Sequence, residues 1–319
     1  MLHKQPGITS FDSLRGIKRA LGTGKAGHTG TLDKFAGGLL LVLTGRALKL
    51  SRWFTHCDKQ YEGTICFGAE TDTLDPEGAV LATAPLPSRS AVESALAEFR
   101  GAIEQAPPAY SAIHIDGERA SVLARRGESP EMRKRPVHIY RLELLSWEPP
   151  FAKIAVHCSS GTYIRSLARD IALAVGSRGY LSALLRTKIA GFRLEDVGTE
   201  DSEQVTENRE QSKDLGIGER GGLLLSDDGK QQYPLPINKS VFDRLNIPCI
   251  DISLQDAAYV MQGKPLEKIV RQYWIPQNNC GSCLMQREDT LALFSNGEFI
   301  AIIERINSQW KYGCVYARD

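Results

Sequence analysis

The sequence predicts an α+β protein in two unequal parts. Three observations carry this: period-two alternation in three segments, helical periodicity in three others, and one long acidic, polar stretch before a smaller strand-rich region. At 319 residues the chain is long enough for about two domains.

The first expected helix covers residues 10–21. Phe11, Leu14, Ile17 and Leu21 recur near the helical period, and Ser10 is placed to cap it. Residues 22–38 are rich in Gly and Thr and are expected to form a loop with unusual backbone demands. Residues 59–67 alternate, putting Tyr61, Gly63, Ile65 and Phe67 on one face of a strand. Residues 71–78 carry turn chemistry. A helix is expected over 91–100, stopped by Gly101. Strands are expected over 137–146 and 151–158, joined by Pro149 and Pro150, with Ala152, Ile154, Val156 and Cys158 on one face. A helix over 163–175 aligns Ile164, Leu167, Ile171 and Val175. The polar stretch 195–230 reads as a linker. Beyond it, the short runs 290–294 and 299–303, broken by Asn296-Gly297, predict a small mixed or β-rich domain.

Composition excludes several classes. With 42% hydrophobic and 24% charged residues the chain is neither collagen-like, a coiled coil nor wholly disordered. Its longest apolar run, Leu39 to Leu43, is far below the ~20 residues that span a bilayer. No apolar signal region follows Met1, and seven scattered cysteines argue against a disulfide scaffold, so a cytoplasmic location is expected. The net charge of +1 conceals an asymmetry: residues 1–60 carry +7 and residues 195–228 carry −8. A basic N-terminal face suits a polyanion such as RNA or DNA, although a solvated surface without a partner has the same signature.

Three motifs point elsewhere and fail. Gly22 to Gly27 fits a dinucleotide-binding glycine pattern, but a helix rather than a strand precedes it. Gly22 to Thr29 imitates a phosphate-binding loop with His28 where the lysine must stand. Cys280 and Cys283 form a lone CxxC that Cys249 and Cys314 would have to complete, and the simpler reading is ordinary thiols. His56, His114, His138 and His157 lack metal-ligand spacing, so no metal is expected.

A series of ordered segments is more specific. Residues 25–40 read KAGHTGTLDKFAGGLL, with Asp33 in a Gly/Thr loop before an apolar run; alone, Asp33 reads as a cap or turn residue. Around it stand Lys4 to Ser10 (KQPGITS), Lys59-Gln-Tyr61 with Gly68 and TDTLDPEG over 71–78, PPAYSA over 107–112, SGTYIRSL over 160–167, and LLRT over 184–187 with Gly191-Phe192. Together they resemble the signature of the TruB-type pseudouridine synthases, which act on the T-arm of tRNA. The C-terminal part is similar to a PUA module in Asp256-Ala257-Ala258, Gly263, and Asn296-Gly297 before Ile300-Ala301-Ile302.

The resemblance implies a catalytic domain over 1–195 around a mixed, mainly antiparallel sheet, an acidic linker over 196–230 and a PUA-like RNA-binding domain over 231–319. It implies isomerisation of uridine to pseudouridine at position 55 of the tRNA T-loop by base flipping, without a guide RNA, cofactor or metal, by a monomer. It assigns Asp33 as the catalytic aspartate, Arg165 as its cationic partner, and Tyr61 as the ring that packs on the flipped base. It assigns Tyr163 and Leu184 to the base pocket, and His28 to the space the flipped nucleotide leaves. A base held within an RNA fold must be extruded before chemistry, and aromatic rings stack on any base, which suits this set. The chain departs from the family pattern at Lys34 (usually proline), His114 (usually lysine), Ser121 (commonly aromatic) and Leu185 (usually arginine). Two alternatives share the motifs: the catalytic subunit of a guide-RNA particle, which commonly has long Lys-rich tails that this chain lacks, and an RNA-binding protein without turnover.

Overall fold

The computed structural model describes residues 1–128, 131–197, 237–274 and 289–316. Most of the expected linker, and both Cys280 and Cys283, lie outside the described residues. Cys249 and Cys314 lie on strands of the C-terminal region. No described helix is long and apolar enough to cross a membrane.

An eight-stranded sheet organises the N-terminal part. In order it runs Leu2–Lys4, Gly37–Leu40, Gly179–Ile189, Lys59–Phe67, Phe151–Cys158, Arg135–Glu148 and Gly101–Gln105, with Phe192–Arg193 folded back on Gly179–Ile189. Every pairing is antiparallel except Gly37–Leu40 with Gly179–Ile189, which is parallel at Leu185–Gly37 and Arg186–Gly38. The fold is therefore α+β with a mixed, mainly antiparallel sheet. Gly38 explains itself at this crossing. Its φ is +111°, and a Cβ there would lie 2.4 Å from the Arg186 carbonyl oxygen, so no side chain fits.

The alternation over 59–67 forms a strand with those bounds, and Tyr61 and Ile65 face inward. The helix Ile164–Ala174 covers that face. Ile164, Leu167 and Ile171 share one core with Tyr61, Ile65, Phe67, Ile154 and Val156. The expected strands over 137–146 and 151–158 extend to Arg135–Glu148 and Phe151–Cys158.

Three local expectations need correction. The first helix is shorter, Leu14–Ala20, and Ser10 does not cap it. Its hydroxyl instead bonds the backbone of Leu32, and Ser13 stands at the N-cap. The second helix runs Arg89–Glu98, capped by Ser88, whose hydroxyl accepts from the Ala91 N–H; Gly101, at φ +87°, begins the next strand. The 22–38 segment is not all loop: Ala26–His28 pairs with Val42–Thr44, and Gly37 opens a sheet strand.

In the C-terminal part, Cys249–Asp251, Thr290–Ser295, Glu298–Ile306 and Gln309–Val315 form a four-stranded sheet. Asn296 and Gly297 both have positive φ, which closes the hairpin the sequence marked. One side of this sheet has its own core, including Val260, Ile269, Leu291 and Ile303. The other side shares a core with the N-terminal part: Phe242, Phe294 and Phe299 join Leu41, Leu43, Phe54 and Phe192 in one apolar cluster. Glu304 fastens the seam by accepting from Trp53 Nε1 at 3.0 Å and Arg52 Nη2 at 2.5 Å. Gly191 abuts the Arg244 backbone and donates its N–H to the Arg244 carbonyl at 2.8 Å.

A shared core predicts shared unfolding. Phe242→Ala should cost ~3–5 kcal/mol and lower one cooperative transition seen by both calorimetry and fluorescence. Two separated transitions in the parent protein, with only one moved by the substitution, would contradict this.

Candidate active site

Asp33 lies on the loop that precedes the strand Gly37–Leu40, and three groups hold that loop. Ser10 Oγ donates to the Leu32 carbonyl at 2.9 Å and accepts from its N–H at 2.8 Å. Buried Lys4 Nζ donates to the carbonyls of Ala36 at 2.5 Å and Lys34 at 3.3 Å. The Gly7 N–H donates to the Lys34 carbonyl at 2.8 Å. The opening segment of the chain thus acts as a splint for the Asp33 loop.

Arg165 reaches Asp33 from the first turn of the helix Ile164–Ala174. Its Nη2 donates to Asp33 Oδ1 at 3.1 Å and its Nε lies 2.8 Å from Oδ2. The arginine is only 5% exposed at its side chain, the aspartate 37%. The pair is therefore closed behind the guanidinium and open on the carboxylate side. The remaining Arg165 nitrogens are used as well. Nη1 donates to the Thr73 carbonyl at 2.7 Å and to Asp75 Oδ2 at 3.4 Å, and Nη2 donates to the Tyr110 carbonyl at 3.0 Å. A buried arginine needs such saturation, because each unused donor would cost desolvation without return. The segments 71–78 and 107–112 thus meet at one guanidinium.

Burial pushes the Asp33 carboxyl above the usual aspartate range; the Arg165 charge pulls it back, while Asp75 adds to the rise. Asp75 is itself buried and accepts from Thr73 Oγ1 at 2.5 Å and the Glu77 N–H at 3.0 Å. Lys34, the departure beside the aspartate, turns to Glu77 at 3.1 Å on the surface, so its charge is spent there.

Tyr61 is buried on the central strand, directly opposite Arg186 in the antiparallel register. Burial pushes its phenol up to about 12, so it is neutral at physiological pH. Leu184 is half-buried, pairs with Gly63, and packs on the core that contains Tyr61, Leu32, Ala36 and Ile164. Tyr163 is partly buried just before the helix. Its backbone N–H donates to Gln105 Oε1 at 2.8 Å, and its carbonyl accepts from Gln105 Nε2 at 3.1 Å. His28 is half-buried on the strand Ala26–His28 with its Nδ1 unpartnered among the described groups. Burial, then the Arg186 charge, push its imidazole below the usual histidine range, which favours the neutral ring.

Asp33 and Arg165 therefore touch, and Tyr61 and Tyr163 lie close enough to feel the Asp33 charge. Sequence reasoning assigned no role in the site to Lys4, Ser10, Asp75, Gln105 or Arg186. Lys4, Ser10, Asp75 and Arg186 stand inside segments already singled out, so the signal was present. Gln105 has none. The residual Arg of LLRT is the informative one: Arg186 is fully buried, whereas Leu185 sits half-buried against Gly37.

If the splint positions the nucleophile loop, Ser10→Ala should cost ~1–3 kcal/mol of stability and lower turnover more than RNA binding. Denaturant melts and single-turnover rates measured together check this. Unchanged turnover in a destabilised variant would contradict the positioning role.

The comparisons with known proteins agree with this geometry. The family model described as TruB family pseudouridylate synthase (N terminal domain) matches residues 18–164. A protein of Borreliella burgdorferi (strain ZS7) named tRNA pseudouridine synthase B is 45% identical over 199 residues, covering 61% of this chain and 71% of that protein. A protein of the same name from Aromatoleum aromaticum is 45% identical over 200 residues, covering 62% and 65%. Among solved structures, an H/ACA RNP bound to a substrate RNA containing 2′-deoxyuridine matches with a TM-score of 0.66 at 20% identity, over 99% of this chain and 84% of that one. A Cbf5-Nop10-Gar1 complex matches with a TM-score of 0.64 at 22% identity, over 97% and 78%. The structural likeness shows the fold and extends through the C-terminal sheet. With a carboxylate clamped by a buried arginine at the heart of the fold, and 45% identity across most of a named relative, the chain belongs to the TruB family of pseudouridine synthases.

Proposed function

We infer that this protein converts uridine to pseudouridine at position 55 in the T-loop of tRNA, without a guide RNA. The observation that carries the chemistry is the Asp33–Arg165 pair, sealed on the arginine side and open on the carboxylate side. In the reaction the C1′–N1 bond breaks, the uracil turns, and a C1′–C5 bond forms, with the C5 proton released to solvent and N1 taking up a proton in its place. Redox state does not change and no phosphate is consumed. The step needs an anionic group beside C1′, and Asp33 supplies it as nucleophile. Arg165 keeps that carboxylate ionised against burial. Because burial outweighs this pull, the acidic limb of activity should lie above the usual aspartate range, with activity lost as pH falls through it.

The other residues divide the work of holding an extruded base. Tyr61 gives a neutral aromatic face and a hydroxyl, while Leu184 and Tyr163 form apolar and aromatic walls. The neutral His28 ring suits insertion into the RNA stack, where a charge would be costly to bury. The C-terminal sheet is read as a PUA-like RNA-binding module, with a catalytic domain over 1–195 and the module within 231–319. The T-arm as the recognised element, a monomeric state and a cytoplasmic site of action belong to the same reading. The basic N-terminal region supports it through phosphate contacts.

The test uses an unmodified T-arm stem-loop RNA carrying a label at C5 of uridine. Wild-type protein should release the label; Asp33→Ala should bind the RNA and release it ~10⁴-fold more slowly or not at all. Tight binding with no release by the wild type would overturn the guide-independent reading and leave a guide-dependent or purely RNA-binding protein.

A further inference from the structure

Lys34 follows the candidate nucleophile directly, so the two side chains spring from Cα atoms ~3.8 Å apart. Their surroundings differ. Asp33 is clamped by Arg165, whereas Lys34 Nζ lies 3.1 Å from Glu77 Oε1 with both side chains about half exposed, at 53% and 47%. Exposure is thus graded across the site. Arg165 and Asp75 stand at 5% and 9%, Asp33 at 37%, and the Lys34–Glu77 pair is the most open. That order marks the rim through which a sugar must reach the Asp33 carboxylate.

The backbone beneath this pair is fixed and the pair itself is not. The Lys34 carbonyl accepts from the Gly7 N–H at 2.8 Å and from Lys4 Nζ at 3.3 Å. The Glu77 N–H donates to Asp75 Oδ1 at 3.0 Å. Both roots are therefore held, and the ion pair between them can open without disturbing either loop. Exposed pairs add little stability, because water screens them and two long side chains lose freedom. Nothing in the main chain calls for a lysine here. The Lys34 N–H makes no hydrogen bond among the described residues, and bonds to its carbonyl do not depend on its side chain. Lys4, which also holds this loop, is buried and spends Nζ on the carbonyls of Gln5, Lys34 and Ala36, so it cannot reach outward.

Resting on the proposed uridine isomerisation, we propose that Lys34 binds a phosphate that flanks the flipped uridine, and that Glu77 holds its ammonium only until the RNA arrives. When C1′ sits against Asp33, the phosphates on either side of that nucleotide are one sugar away. A flexible four-carbon stem rooted on the next residue covers that span. Without Lys34, the incoming backbone would meet Glu77 beside the open Asp33 carboxylate, two charges of its own sign. The exchange favours the RNA for a definite reason. A lysine that moves from Glu77 to a phosphate releases a condensed counterion from the RNA, and Glu77 offers no such release. The phosphate also repels the Glu77 carboxylate and so opens the pair.

The experiment measures the affinity of wild type, Lys34→Gln and Glu77→Gln for the T-arm RNA across a salt series. Lys34→Gln should weaken binding ~3–10-fold at low salt and lower the slope of log affinity against log salt by ~0.7–1, the share of one phosphate contact. Glu77→Gln should bind at least as tightly as wild type, because it frees the lysine and removes a like charge. If the pair only fastens one loop to the other, Glu77→Gln weakens binding as Lys34→Gln does; that result, or an unchanged slope in Lys34→Gln, would overturn the proposal. A second measurement places the contact. An uncharged methylphosphonate is set 5′ or 3′ of the target uridine, each RNA compared with one that has a normal phosphate and the same 2′-deoxy sugar. At one of the two positions the neutral linkage should weaken Lys34→Gln at least ~3-fold less than it weakens wild type. Losses that multiply at both positions would overturn the proposal. Label release from unmodified RNA separates the two readings: a wild type that releases none removes the isomerase reading and this inference with it, whereas an active wild type with multiplying losses removes only the inference.

Discussion

The Arg165–Asp33 ion pair is the interaction on which the rest of the structure depends. A carboxylate that is half-buried loses part of its water, and losing water favours its neutral form. Arg165 opposes this, but a buried arginine is itself costly and must be saturated. The fold meets both demands by bringing four separate chain segments to one guanidinium: the Asp33 loop, the turn bearing Thr73 and Asp75, the segment around Tyr110, and the helix that carries the arginine. Segments far apart in sequence are thereby made interdependent.

Around this centre the protein spends polar groups on backbone. Lys4, Ser10, Gln105 and Arg186 are all buried, and each bonds main-chain atoms a few residues from Asp33 or Arg165. Loops with positive-φ glycines have little intrinsic rigidity. Buried side chains that satisfy their carbonyls and N–H groups supply the rigidity from outside, which is how a loop can hold a nucleophile in place. The C-terminal sheet adds to this support through the aromatic cluster it shares with the N-terminal part and through Glu304 at the seam.

Much of this architecture was readable in the sequence, for definite reasons. Strands with one buried face show period two, so 59–67 came out with its true limits, and Asn296-Gly297 marked a hairpin that only such residues close easily. Helix ends were read less well, because tertiary partners decide them: Ser10 was more useful to Leu32 than to a helix cap. The α+β class followed from pattern, but strand order and the parallel crossing at Gly38 depend on contacts between distant segments and leave no local trace. Asp33 and Arg165 were identified by resemblance to a family, since a lone loop aspartate and a helix-start arginine have no distinguishing local pattern. Arg186 and Gln105 were missed because a buried charge or amide looks like a surface residue in one dimension. Only the structure shows that their partners are main-chain groups.

The central claim is that burial and Arg165 pull the Asp33 carboxylate in opposite directions. The most direct measurement is a carbon-detected NMR titration of Asp33, assigned by difference from Asp33→Asn, in the wild type and in Arg165→Gln. The account predicts that the wild-type carboxyl titrates above the usual aspartate range yet is ionised at neutral pH, and that it moves further up when the arginine charge is removed. A wild-type Asp33 that titrates at or below the ordinary value, or one that the loss of Arg165 leaves unmoved, would contradict it.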